Sequence, residues 1–174
     1  MSPAAIVVRQ AALADAEDIG EAHASAWEAA YVDLFEPETL RHAAAVRRIM
    51  WAHILTGSDF DLSGLLVAEQ DAQVVGYSHF GHAAGRDGQG EIFGFYLHPT
   101  AWGQGAATRL MRASLLGLHR QGHASVVVWT HPGAARAQAF YVKSGFRATG
   151  RSRTAQLGPG VEAPEVEFVR ESPS

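Results

Sequence analysis

The 174-residue sequence contains no cysteine. Disulfide frameworks, thiolate zinc sites and a cysteine nucleophile are therefore excluded, and nothing ties the chain to an oxidising compartment. Long apolar runs are also missing. No segment reaches the ~20 apolar residues of a membrane-spanning helix, and Met1 to Gln10 has no basic stretch leading into an apolar one. The expectation is a soluble, unprocessed, cytoplasmic protein with no membrane contact. A Gly-Lys-Ser/Thr sequence is absent too, which excludes the P-loop and makes ATP and GTP poor ligand candidates.

A further scarcity is local. From Ile92 to Val161 there is no Asp or Glu, while Arg109, Arg112, Arg120, Arg136, Lys143, Arg147, Arg151 and Arg153 are all basic. Residues 1 to 91 hold 14 acids against 5 bases, and the last thirteen residues return to a net charge of -3. The overall charge of -4 hides this asymmetry. A block without acids suits a polyanionic ligand, a nucleic-acid surface, or pairing with acids elsewhere in the chain. Nucleic acid is the weakest of the three, because the arginines do not interleave with exposed aromatics and the total charge is negative.

What is present reads as a packed globular chain: 47% hydrophobic and 18% charged residues, spread along a length suited to one domain over residues 1 to 174. Ile6-Val7-Val8 predicts a strand. Leu13, Ile19, Ala22, His23, Ala26, Trp27, Ala30 and Tyr31 then recur at helical spacing, with Asp15 as N-cap. Pro37 opens a second helix to about Leu55, and Thr56-Gly57-Ser58-Asp59 breaks it. Leu65 to Glu69 and Val74 to Phe80 form a hairpin, and Gly81 to Gly90 a loop. Glu91 to Leu97 is a nearly continuous apolar strand, of the kind buried on both faces and central in a sheet.

From Gly105 to Gln121, Leu110, Met111, Leu115, Leu116 and Leu118 make a helical stripe that Gly122 ends, before the strand Val126 to Trp129. Ala134 to Ser144 is helical, Phe146 to Arg153 extended, Leu157-Gly158-Pro159-Gly160 an exposed loop, and Val166 to Arg170 a last strand. The order is β-α-α-β-β-β-α-β-α-β-β.

The chemistry concentrates at Trp102-Gly103-Gln104-Gly105-Ala106-Ala107. A glycine turn between a buried strand and a helix start aims several backbone N-H groups at one point, where the helix dipole also favours an anion. A dinucleotide fingerprint fits poorly, since Thr108 stands where a third glycine belongs and no ribose-binding acid follows.

This stretch resembles the GNAT N-acetyltransferases, whose signature is Arg/Gln-x-x-Gly-x-Gly/Ala at a helix start. The resemblance continues in the strand Glu91 to Leu97 with His98-Pro99 after it, and in Ala137-Gln138-Ala139-Phe140-Tyr141-Val142-Lys143-Ser144-Gly145-Phe146. It implies an α/β (α+β) fold: a mixed, mostly antiparallel sheet of six or seven strands, splayed at its centre and flanked by about four helices. It also implies acetyl-CoA as co-substrate, no metal, and direct transfer of an acetyl group to a primary amine of a small molecule or peptide. A non-catalytic acyl-CoA-binding or regulatory module is the alternative, and a homodimer is left open.

By that resemblance Gly103, Gln104, Gly105, Ala106, Ala107 and Thr108 hold the pyrophosphate, and Phe95, Tyr96 and Leu97 the pantetheine arm. Ala134 stands where many members place a cofactor-binding Asn, and Trp102 where Arg or Gln is usual. Glu91 is the expected base, with His79 and His82 as alternatives, and Tyr141 the expected acid. Trp27, Tyr31, Phe35 and Trp51 are expected in the first two helices, which wall the acceptor pocket in similar proteins.

Overall fold

The β-branched run that opens the chain forms β1 (Ile6–Gln10), which runs antiparallel to β2 (Leu65–Gln70) at one edge of a seven-stranded sheet. The computed structural model describes residues 5–57, 59–158 and 160–171. Met1 to Ala4 of the N-terminal reading, Ser58 of the breaker cluster and Pro159 of the glycine-flanked turn lie outside the described residues.

β2 turns into β3 (Gln73–His82) through Asp71 and Ala72, whose φ values of 52° and 62° are those of a tight hairpin turn matched to the strand twist. β4 (Gln89–Leu97), β5 (Ser125–Thr130), β6 (Arg147–Gly158) and β7 (Val161–Glu171) complete the order β1-β2-β3-β4-β5-β7-β6. Among the described residues only the β4 and β5 pair is parallel. That pair needs a crossover helix, which is α3 (Ala106–Arg120). α1 (Ala16–Tyr31), α2 (Pro37–Thr56) and α4 (Ala135–Lys143) are the other helices among the described residues. The expected architecture and element order are those observed.

Periodicity decides which face each element buries. Met111 and Leu118 of α3 and Tyr141 of α4 pack on Phe80, Ile92, Val126, Val128 and Phe168 on one face of the sheet. Ile19 of α1 and Trp51 and Leu55 of α2 pack on Leu65, Val67 and Tyr77 on the other. Each buried side chain of this size contributes on the order of 2 kcal/mol of transfer free energy, so these two layers hold the sheet in place.

Several local expectations are corrected. Leu116 is exposed, because it lies off the Leu110, Met111, Ser114 and Leu118 stripe of α3. Asp15 does not cap α1 with its side chain; it accepts from the Ala12 amide at 2.7 Å and pairs with Arg9, which holds its carboxyl below the usual range. Phe35 lies in the connection between α1 and α2, stacked on Trp27. The loop after β3 is shorter than expected, since the β3 and β4 ladder continues to His82 and Gly90. Leu157 is not in an exposed loop: β6 and β7 form a long hairpin, and Leu157 packs against the Trp27 and Tyr31 cluster.

β4 is central, but it is not buried on both faces. Phe80 pairs with Ile92 and His79 with Gly94, so Phe93 is an extra residue in the ladder, half exposed at 49%. A bulge of this kind bends its strand, and it sits where β4 leaves β5.

Candidate active site

β4 and β5 pair in parallel from Gln89 with Ser125 to Ile92 with Val128, and then separate. Beyond that point Phe95, Tyr96 and Leu97 stay with β3, while Trp129 and Thr130 stay with β7. Each strand follows its antiparallel partner, and the gap between them opens into a cavity of about 1100 Å³. The edge of β4 from Phe93 to Leu97 forms one wall, Val128 to Thr130 the opposite wall. The splay anticipated at the central strands is present.

One mouth of the cavity meets the glycine turn. Gly103 and Gly105 have φ values of 74° and 88°, a conformation that side chains with a Cβ adopt only under strain, and a Cβ on either would meet nothing within 4 Å. Arg109 is the first residue of α3 whose N-H finds a backbone carbonyl, that of Gly105 at 3.1 Å. The amides of residues 103 to 108 find no backbone acceptor among the described residues. They form a cluster of free donors at the positive end of a helix dipole, suited to a pyrophosphate. Gly103 and Ala107 line the cavity itself, whereas Gln104, Gly105, Ala106 and Thr108 build the cradle beside it. Ala106 is fully buried, and the Gln104 side chain is engaged by Gln70 at 2.8 Å and by the Thr100 carbonyl.

Trp102 ties this loop to β4: its Nε1 donates to the Leu97 carbonyl at 2.9 Å, and the Arg136 guanidinium lies 4.2 Å above its ring. Ala134 sits at the start of α4, buried and lining the cavity, with its amide bonded to His131 O at 3.0 Å. Phe140 stacks on Phe95 at 5.5 Å, fixing α4 against β4. Tyr141 also lines the cavity, 5% exposed, and burial lifts its phenol well above its ordinary range. It therefore stays protonated across the physiological range.

The other mouth is walled by α1 and α2. His79 reaches the cavity, with its imidazole pKa lowered by burial and its ring near Phe60 and Phe93. His82 is exposed and stands beside His123 instead. Glu91 is not among the lining residues; it is half-buried on the face carrying Trp129, 3.6 Å from Arg153, and burial raises its pKa against the pull of Arg153. Tyr31 and Trp51 line the cavity, and Trp27 is buried behind Tyr31.

The lining residues that the sequence did not single out for the site include the buried His23, Arg47 and Glu165. His23 is buried, accepts from Trp51 Nε1 at 3.1 Å through Nδ1, and has its pKa lowered well below 6.5 by burial. Arg47 occupies the buried stripe of α2 between Ala44 and Trp51. Glu165 is buried in β7 and accepts from Arg153 Nε at 2.7 Å. A signal existed for the last two: a charged residue at a position where the apolar period calls for a core side chain.

The acid-free block divides in two. Arg147, Arg151 and Arg153 pair with Glu171, Glu167 and Glu165 of the adjacent strand. Arg109, Arg112, Arg120, Arg136 and Lys143 make no ion pair among the described residues; Arg136 sits over the Trp102 ring beside the glycine turn, while Arg109 donates to the Ile6 carbonyl of β1 at 3.2 Å. Internal pairing thus accounts for the hairpin, and free positive charge remains at the cradle.

Residues 18–146 match the acetyltransferase (GNAT) family. A Mycobacterium tuberculosis protein named probable N-acetyltransferase is 23% identical over 170 residues, 97% of this chain and 95% of that one. Another protein of that organism, named an uncharacterized N-acetyltransferase, is 36% identical over 107 residues, which cover 62% of this chain and 66% of its own length. The crystal structure of PaiA N-acetyltransferase from Thermoplasma acidophilum in complex with coenzyme A superposes with a TM-score of 0.75 at 16% identity, covering 97% of this chain and 99% of that chain.

Proposed function

Since the chain belongs to the GNAT acetyltransferase family, we propose that it transfers the acetyl group of acetyl-CoA directly to a primary amine of a small molecule or peptide, as a single cytoplasmic domain. The observation that carries this reading is the run of free amides from Gly103 to Thr108, opening on the gap between β4 and β5. The residues present fit acetyl-CoA. Arg136 adds charge beside the cradle, the unpaired edge of β4 at Phe95, Tyr96 and Leu97 offers backbone groups to the pantetheine amides, and Ala134 leaves room at the start of α4.

Transfer requires the acceptor nitrogen as a free amine, its attack on the acetyl carbonyl, and a proton for the departing sulfur. Tyr141 is suited to give that proton, being buried, protonated and in the cavity. Glu91 takes the ammonium proton through water in this reading, supported by its raised pKa and its place one residue before the strands part. His79 is the competing base, favoured by its position on the cavity wall and its neutral imidazole.

The test has two parts. Acetyl-CoA is expected to raise the melting temperature, and a panel of primary amines is expected to contain one that releases CoA thiol. No shift removes the reading; a shift without turnover across the panel leaves an acyl-CoA-binding module.

A further inference from the structure

α2 buries a cation in its apolar stripe. Arg47 is 6% exposed, in line with Leu40, Ala43, Trp51 and Leu55. Taking a guanidinium out of water is costly unless a countercharge or a full set of hydrogen bonds replaces the solvent. Arg47 has neither. Its terminal nitrogens donate to two neutral carbonyls, that of Ala43 at 3.0 Å and that of Leu157, and no carboxylate among the described residues pairs with it. Its Nε has no hydrogen-bond partner among the described residues.

The guanidinium lies 4.1 Å over the ring of Trp27, whose Nε1 is the other buried side-chain polar atom without a partner among the described residues. Both orphans are N-H donors, and they belong to side chains in contact. An acceptor bearing negative charge is what such a pair lacks. Pinning the β6 tip through the Leu157 carbonyl needs only a neutral donor and does not offset the cost of a buried charge.

Arg47 lines the cavity described above, on the α1 and α2 side. Glu165, which also accepts from Arg153, is the one carboxylate among the described lining residues, and the lining further includes Ala26, Met50, Ile54 and Phe60. The acceptor end thus offers a cation without a countercharge, a single acid, and an apolar surface.

We propose that the acceptor is an amino acid with an apolar side chain, its carboxylate bound by Arg47 and its ammonium form drawn to Glu165. Polyamines and simple amines lack the group that Arg47 requires. The proposal rests on the acetyltransferase reading of the same cavity.

The experiment compares matched sets: L-phenylalanine, L-phenylalaninamide and 2-phenylethylamine, with the three leucine counterparts, each supplied with acetyl-CoA while CoA thiol release is followed. The free acids are expected to exceed the amides and amines by at least about tenfold in kcat/KM, chiefly through KM. In Arg47→Gln that ratio falls to about one, and Arg47→Lys keeps part of it, while the melting shift given by acetyl-CoA is unchanged in both. A wild type that prefers the amide or the amine, or an Arg47→Gln variant that retains the preference for the acid, overturns the proposal and leaves the acetyltransferase reading intact. If Arg47→Gln does not fold, the wild-type ratio decides.

If the sets are not turned over, calorimetry of N-acetyl-L-phenylalanine and its amide on the CoA-loaded protein decides, with tighter binding of the acid supporting the proposal and equal or weaker binding overturning it. An absent acetyl-CoA shift in the wild type removes the acetyltransferase reading, and the proposal with it.

Discussion

The indole Nε1 of Trp102 donates to the carbonyl of Leu97 at 2.9 Å, joining the glycine turn to the end of the strand that walls the cavity. The same ring carries Arg136 from α4 on its face at 4.2 Å. A residue out of place in the family signature is thus a brace: it fixes the turn against β4 and holds a cation near the free amides. Trp102→Phe keeps a ring for Arg136 but loses the bond to Leu97, and is expected to cost about 1 kcal/mol, seen as a fall of roughly 2–4 °C in melting temperature. Trp102→Ala loses both contacts, and weaker acetyl-CoA binding in titration is expected as well.

The cradle depends on Gly105, whose φ of 88° sets the turn at the N-terminus of α3. Gly105→Glu places a strained Cβ and a negative charge where the free amides converge. The melting shift produced by acetyl-CoA in the wild type is expected to vanish. A retained shift would move the pyrophosphate elsewhere.

Tyr141→Phe keeps the ring that packs on Phe146 and Phe168 and removes only the hydroxyl. If the hydroxyl serves the transition state alone, kcat falls by about 10²-fold or more, with the KM for acetyl-CoA nearly unchanged. Steady-state kinetics decide this, and an unchanged kcat excludes Tyr141 from the chemistry.

Glu91→Gln and His79→Gln separate the two bases. Burial raises the Glu91 pKa from its ordinary 4.5 and lowers that of His79 from 6.5, which brings the two towards each other, so a wild-type profile alone cannot assign the limb. The variant of the true base is expected to lose the acid limb of the kcat/KM profile along with about 10²-fold in rate. The other variant is expected to keep the limb.

His23 couples acid to stability. Burial depresses its folded-state pKa well below 6.5, so as pH falls through 6.5 the unfolded chain takes up a proton that the folded chain refuses. The stability it contributes is complete above 6.5 and is lost as pH drops towards the folded value, by at most about 1.4 kcal/mol per pH unit. His79 adds a loss of the same sign. Melting temperatures from pH 8 to 5.5 are expected to decline, and His23→Gln to decline less steeply. Parallel curves would show that His23 is not responsible.

The sequence by itself determined the element order, the crossover at α3 and the glycine turn, because periodicity, glycines and β-branched runs act through neighbours in the chain. It also singled out Tyr141 and the edge Phe95 to Leu97, through a motif whose spacing reflects one helix and one strand. Tertiary structure decided the rest. The bulge at Phe93, the parting of β4 from β5 and the length of the β6 and β7 hairpin depend on which strand each residue pairs with, and local sequence does not encode that choice.

The same holds for charge. Arg153 stands between Glu91 and Glu165, residues far apart in the chain and brought together by the sheet. Arg47 and Glu165 reach one cavity only because α2 packs against the hairpin of β6 and β7, where Arg47 donates to the Leu157 carbonyl. A charged residue within an apolar stripe was visible in the sequence as an exception, but its meaning depends on what it faces after burial. An electrostatic free energy is set by distance and surroundings, and folding fixes both.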